Sequence, residues 1–203
     1  MMKYILAALG LGAVIGYLNN NYVSVISSSW ISSYVFDFSL VLLLFVMGFV
    51  FGADREAVVR LKKAGLRIFV VPFAIALGSI VGGFVGGYLL GISVVGSMAI
   101  AAGFGWYTLA GPLVGQLFGA GLGALGFMVN FLRELLTIAT IPLTAKADRY
   151  LPVAFGGATT MDTTLPIIVK YCGPEVMIIA FSSGFALSLI APFTITAIAA
   201  IPK

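Results

Sequence analysis

Three charged residues lie inside long apolar stretches of this sequence, and any binding chemistry is expected to centre on them. Glu134 is the thirteenth residue of the apolar stretch 122–143, Asp162 is the twelfth residue of the stretch 151–170, and Arg133 precedes Glu134. A charge at the centre of a membrane helix costs at least about 2.5–3.5 kcal/mol, so such residues usually face a polar cavity or a partner. The two carboxylates are therefore candidates for binding a cation, a proton or both. The alternative is a buried ion pair between Arg133 and Asp162 that only holds helices together.

Polar side chains around the two acids extend the candidate site. Asn130, Glu134 and Thr137 recur at i, i+4 and i+7 on one helix face, and Arg133 is rotated about 100° from Glu134. Asn130 and Thr137 are equally well explained as hydrogen-bonding groups between helices. Four hydroxyl groups surround Asp162, those of Thr159, Thr160, Thr163 and Thr164. In an apolar stretch they indicate the lining of a polar site, because their desolvation would otherwise be uncompensated.

Two glycine-rich interruptions, residues 103–112 and 156–166, each end near a proline. Unpaired backbone groups at membrane depth are tolerated only where they line protein or water, and paired broken helices mark the binding sites of transporters. The exposed carbonyls favour a cation, which leaves a sodium site at the breaks open, and the helix N-termini favour an anionic group. The alternative is two flexible kinks. The candidate residues here are Gly103, Gly105, Trp106, Tyr107, Gly156 and Gly157, of which Trp106 and Tyr107 either pack the site or provide cation–π contacts.

The composition indicates an integral membrane protein. Of 203 residues, 61% are hydrophobic and 9% are charged, and the mean hydropathy is +1.15. A soluble domain has about 45–50% hydrophobic and about 25% charged residues. The composition therefore excludes a secreted enzyme, a nucleic-acid-binding domain and a disordered regulator. The sequence has no His, one Cys and no nucleotide-binding glycine motif, which argues against an enzyme and against a resident metal or cofactor.

The elements that must position the site are predicted to be membrane helices. The apolar stretches are too long for strands and do not alternate, so we expect an all-α protein that forms a single membrane domain over residues 1–203. Seven transmembrane segments are predicted, the fourth and sixth of them interrupted where they cross near the bilayer midplane: 3–18, 34–53, 68–91, 92–118, 122–143, 151–170 and 174–201. The first resembles a signal peptide but lacks a cleavage site, so it is expected to be retained.

The basic residues predict the orientation. Five of the eleven lie between Arg55 and Arg67, so the loop 54–67 is expected to be cytoplasmic. If all seven segments cross, Lys146 and Arg149 then lie outside, against the general bias. The glycines of the third segment are a candidate dimer face or an internal packing face.

Three strings in this order carry a family resemblance: GFGWY at 103–107, LREL at 132–135 and GATTMDTTLP at 157–166. With them the chain resembles the prokaryotic lysine exporter (LysO-type) family over nearly its whole length. The resemblance implies a prokaryotic cell-membrane protein that exports L-lysine and analogues such as thialysine, driven by a proton or sodium gradient. It also implies that the family's two intramembrane acids correspond to Glu134 and Asp162.

Longer members of that family carry about a hundred further N-terminal residues with additional membrane helices. This chain resembles a short form, so a second copy or a separate subunit is expected to supply the missing helices. Three alternatives stay open: an ion-coupled carrier of another amino acid or of an organic anion, an intramembrane aspartyl protease, and a non-transporting subunit.

Overall fold

The computed structural model describes residues 2–19, 21 and 67–201, together with single positions between 34 and 59. These single positions are 34, 35, 38, 39, 41, 42, 45, 46, 49, 53 and 59. The chain divides into two compact units, Met1–Val50 and Phe51–Lys203. In the first unit, helix α1 spans Met2–Leu18. The predicted second segment is described only in part, and the loop 54–67 lies almost entirely outside the described residues.

The described part of the second unit consists of helices joined by short turns and contains no strand between 67 and 201, which confirms the all-α fold. Its α-helices are α2 (Arg67–Leu90), α3 (Val94–Ala101), α4 (Tyr107–Phe118), α5 (Ala120–Ala147), α6 (Leu151–Gly156), α7 (Leu165–Cys172) and α8 (Met177–Ala199). Short 3-10 helices at Gly157–Met161 and Pro174–Val176 precede α7 and α8.

Three spans in the described residues are long and apolar enough to cross a membrane. They are Val70–Leu90 in α2, Ala120–Ala147 in α5, and Pro174–Ala199, which combines the second 3-10 helix with α8. The protein is therefore a multi-pass membrane protein, and the predicted total of seven crossings is not confirmed.

Helices α3 and α4, expected as one crossing segment over 92–118, fold back on each other. A Cβ atom at Gly96 would lie 2.7 Å from Leu122 Cδ1, and Gly115 packs against Gly123. Both outer ends of the pair therefore lie beside the N-terminal end of α5. At 1.5 Å per residue, α3 is about 12 Å long and α4 about 18 Å, whereas the hydrocarbon core is about 30 Å thick.

Helices α6 and α7 form a second fold-back pair at the opposite end of α5. The ion pair between Arg149 Nη1 and Glu175 Oε1, at 3.1 Å, joins the segment between α5 and α6 to the 3-10 helix that follows α7. Both outer ends of this pair consequently lie near the C-terminal end of α5. We therefore expect each fold-back pair to enter and leave a membrane on the same side, and the two pairs to enter from opposite sides.

The turns of the two fold-back pairs meet halfway along α5. Ala158 N donates a hydrogen bond of 2.8 Å to Phe104 O, which connects the turn after α6 to the turn after α3. Positive φ angles shape both turns: Gly105 has φ +102° and Gly157 has φ +61°. Such angles strain a residue with a Cβ atom, so glycine is required where the two turns approach each other.

Cysteine labelling tests the fold-back arrangement directly. In a background without Cys172, we expect Ile92→Cys and Ala120→Cys to react with an impermeant maleimide from one side of the membrane. Lys146→Cys and Tyr171→Cys should react only from the other side. If the labels at 92 and 120 came from opposite sides, residues 94–118 would cross the membrane and the fold-back arrangement would be wrong.

Candidate functional site

The two acids predicted from the sequence lie within electrostatic range of each other. Glu134 is the fifteenth of the 28 residues of α5 and its side chain is 2% exposed. Asp162 ends the 3-10 helix before α7 and is exposed on the surface of the described chain. The carboxyl group of Glu134 interacts with the charge of Asp162 and with the Thr163 hydroxyl. The site thus joins the middle of a long helix to the turn of a fold-back pair.

The backbone around Asp162 fixes one of its carboxylate oxygens. Thr163 N donates a hydrogen bond of 2.6 Å to Asp162 Oδ1, and Thr163 Oγ1 donates a second one of 3.3 Å. These two donors orient the carboxylate while the side chain stays exposed. Asp162 can therefore meet a ligand without leaving the turn that holds it.

The other three threonines are buried and bind the backbone of the turn. Thr159 Oγ1 donates to Gly156 O at 3.0 Å and Thr164 Oγ1 donates to Thr159 O at 3.1 Å. Thr160 Oγ1 lies 2.7 Å from both Gly157 O and Ala180 O, and so connects the turn to α8. Of the four predicted hydroxyls, only that of Thr163 is both exposed and next to the acids.

Asn130 forms hydrogen bonds with backbone groups at the turn after α3. Its Oδ1 accepts a hydrogen bond of 2.7 Å from Gly105 N, and its Nδ2 donates to Ile100 O and Gly126 O, each at 2.9 Å. A Cβ atom at Gly103 would lie 2.8 Å from Asn130 Nδ2, so glycine lets the turn approach α5. The amide therefore provides hydrogen-bond partners for backbone groups of the turn, which lipid could not supply.

Thr137 and Gly156 also have local contacts. Thr137 is buried and donates a hydrogen bond of 2.7 Å to Arg133 O on its own helix. Gly156 lies where a Cβ atom would be 2.5 Å from Thr160 Cγ2. Asn130, Glu134 and Thr137 all belong to the buried face of α5, as their spacing predicts.

The guanidinium group of Arg133 contacts carbonyl groups of α6. Its Nε donates to Phe155 O at 2.8 Å, its Nη2 donates to Ala154 O at 3.0 Å, and its Nη1 donates to Ser79 Oγ at 3.0 Å. Within the described part of the chain, Arg149–Glu175 is the only ion pair, so the alternative of an Arg133–Asp162 pair is not observed there.

Tyr107 packs between two aromatic rings of α5 and lies near both acids. Its ring meets Phe127 and Phe131 edge to face, with centroid distances of 5.4 and 5.5 Å. It is 7% exposed and within electrostatic range of Glu134 and Asp162. The neighbouring Trp106 is half-buried at the start of α4. These contacts are those of core packing next to the site.

A family model described as lysine exporter LysO matches residues 6–199. The chain belongs to this lysine exporter family. It is 34% identical over 161 residues to "Lysine exporter LysO" of Escherichia coli (strain K12), covering 78% of this chain and 53% of that protein. It is 30% identical over 203 residues to "Putative lysine exporter" of Haemophilus influenzae (strain ATCC 51907 / DSM 11121 / KW20 / Rd), covering 99% of this chain and 100% of that protein. No solved structure matches the chain significantly.

Membership of the lysine exporter family establishes a transporter of the cell membrane and not an enzyme. The chain spans about half the length of the E. coli relative and the full length of the H. influenzae relative. The names of these two relatives support amino-acid export. They name neither the coupling ion nor the residues that bind substrate.

Two buried serines of α8 are not among the predicted site residues. Ser182 and Ser183 are almost completely buried, and their hydroxyls have no hydrogen-bond partner among the described residues. The adjacent Gly184 packs directly against the turn at Met161 N, where a Cβ atom would lie 2.6 Å away. The string Ser182-Ser183-Gly184 in an apolar segment was the available signal, because small and polar residues mark close helix contacts in membranes.

Proposed function

We propose that this protein exports L-lysine and analogues such as thialysine from the cytoplasm, driven by an ion gradient through Glu134 and Asp162. The observation that carries the proposal is that the two acids lie within electrostatic range of each other, one buried in the middle of α5 and one exposed at a fold-back turn. The names of the two relatives support lysine as the substrate. Membership of an exporter family does not suggest a cofactor.

The chemistry follows from the charges of the substrate. Lysine carries two ammonium groups and one carboxylate near neutral pH. An ammonium group donates charge-assisted hydrogen bonds to carboxylates, which are stronger than bonds between neutral groups. A proton on Glu134 or Asp162 removes the charge that attracts the ammonium group. Proton binding and lysine binding therefore oppose each other, and this competition couples an inward proton gradient to outward lysine movement.

A proton fits the described site better than sodium as the coupling ion. A sodium ion at the helix breaks needs free carbonyl groups. Those of Ala154 and Phe155 accept hydrogen bonds from Arg133, and that of Ile100 accepts one from Asn130. The two carboxylates are groups that bind protons directly, so we place ion coupling there.

The basic residues support a cytoplasmic position for the end of the bundle where α2 begins and α5 ends. Lys146 and Arg149 follow or end α5, Lys170 lies in the last turn of α7, and the basic run 55–67 ends at the start of α2. With two fold-back pairs, all of these residues share one side. The loop 54–67 is therefore proposed to be cytoplasmic. Lys146 and Arg149 then also lie on the cytoplasmic side, in agreement with the general bias of basic residues.

Thialysine resistance tests the proposed function. Expression in a bacterial strain without its own lysine exporter should raise the tolerated thialysine concentration and increase lysine in the medium. Arginine and ornithine added as competitors would separate a lysine exporter from a carrier of other amino acids. Unchanged resistance, with the protein present in the membrane fraction, would contradict the proposal. We also predict that this chain pairs with a second copy of itself or with a separate subunit in these cells.

A further inference from the structure

We propose that Arg133 is a positioning residue, a tethered cation that caps the carbonyl end of α6 and thereby holds the turn bearing Asp162 beside Glu134. The inference deepens the proposed function and rests on it for the role of the two acids. It assigns to Arg133 a part that differs from a direct contact with the substrate carboxylate. The geometry of three hydrogen bonds carries it.

Arg133 binds the carbonyl end of helix α6. The last carbonyl groups of a helix lack donors within the helix and carry a partial negative charge. Helix α6 ends at Gly156, and Arg133 donates to Phe155 O and Ala154 O at 2.8 and 3.0 Å. The third nitrogen donates to Ser79 Oγ at 3.0 Å. Each guanidinium nitrogen thus has a protein acceptor.

The shape of the guanidinium group explains why the residue at position 133 is an arginine. The planar guanidinium offers donors in a fixed fork, whereas a lysine ammonium is a compact point charge. The fork reaches two consecutive carbonyls of α6 and a hydroxyl of α2 together. In the described part of the chain, Arg133 takes part in no ion pair. Carbonyl dipoles and one hydroxyl are therefore its observed compensation at membrane depth.

A short stretch of backbone connects the capped end of α6 to Asp162. Gly157 follows the capped carbonyls, and a Cβ atom there would lie 3.0 Å from Arg133 Nη2. The next residue, Ala158, donates to Phe104 O across the two turns. The 3-10 helix Gly157–Met161 then leads directly to Asp162. Since Glu134 is the next residue of α5 after Arg133, one helix turn positions both carboxylates, Glu134 directly and Asp162 through the cap.

The decisive variant is Arg133→Ala in the full chain, tested with guanidinium ion as the probe. Arg133 lines a cavity of about 320 Å³ together with Ser79 and Asn130, so a free guanidinium ion has space to approach. In detergent without substrate, about 10 mM guanidinium should raise the melting temperature of Arg133→Ala by about 3 °C and leave the wild type unchanged. An equal concentration of methylammonium should have less than half that effect. Arg149→Ala, which removes an exposed arginine, should not respond to guanidinium.

The second variant, Arg133→Lys, separates positioning from substrate binding. In proteoliposomes we expect its maximal rate of lysine release to fall at least fivefold, with a KM within twofold of wild type. A KM raised tenfold or more at an unchanged maximal rate would identify a substrate-carboxylate contact and overturn the proposal. Wild-type kinetics in Arg133→Ala, or no guanidinium effect on its melting temperature, would also overturn it. If the wild type releases no lysine, the proposed function fails, and the melting temperatures still decide the role of Arg133.

Discussion

Asp162→Asn is expected to reduce lysine release by at least a hundredfold while the protein folds as the wild type does. The asparagine keeps the shape of the side chain and an oxygen that accepts from Thr163 N, so the turn is preserved. It removes the negative charge that attracts an ammonium group and the group that binds a proton. Release rates from proteoliposomes, with melting temperature and size-exclusion profile as folding controls, measure the two effects.

The matched control for this variant is Asp148→Asn. Asp148 is also exposed and also accepts a backbone hydrogen bond, from Tyr150 N at 2.7 Å, but it lies at the end of α5 away from the acids. It should retain close to wild-type release. Glu134→Gln should lose release as Asp162→Asn does, because the two carboxylates act together. Retention of more than half of the wild-type rate by either site variant would refute the proposed coupling.

Gly157→Ala is expected to disrupt the contact between the two fold-back turns. The φ angle of +61° strains a residue with a Cβ atom, and a Cβ atom there would overlap Phe104 O and press on Arg133 Nη2. A strained φ alone costs about 1–3 kcal/mol, and the overlap adds to it. We expect the melting temperature to fall by about 10 °C or more and lysine release to be lost.

Gly119→Ala isolates the cost of the φ angle from that of the contact. Gly119 has φ +97°, and a Cβ atom there would have no neighbour within 4 Å. Its melting temperature should fall by only a few degrees, with release retained. If the two variants were equally destabilised, the contact between Gly157 and Phe104 would contribute nothing beyond backbone strain, and the meeting of the turns would not be essential.

The class of the fold and the two acids could be predicted from the sequence because placing a charge inside a membrane has a high free-energy cost. Glu134 and Asp162 stand out in apolar stretches whatever the tertiary structure is. The fold-back of residues 94–118 and 151–172 could not be predicted in the same way. A glycine-rich interruption looks alike in a helix that crosses and in one that returns. Contacts between distant residues, such as Arg149 with Glu175, distinguish the two cases.

The partners of the remaining site residues were equally hidden. Arg133 suggested an ion pair with Asp162 by its charge, but its acceptors are two backbone carbonyls and Ser79, which lies 54 positions away. Thr160 suggested a site lining, but it bonds Gly157 O and Ala180 O. Residue type predicts which groups need a partner in a membrane. Which groups meet that need depends on how the turns pack, and the sequence pattern does not contain this information.

The most direct test of the account is gradient-driven release of labelled lysine from proteoliposomes that contain only this chain, in sodium-free buffer. The account predicts that acidifying the outside accelerates release when the outer side corresponds to the exterior of the cell. It also predicts that Asp162→Asn abolishes this acceleration. Release that requires a sodium gradient and ignores the pH gradient would contradict proton coupling through Glu134 and Asp162. Acceleration that persists in Asp162→Asn would contradict the assignment of the site.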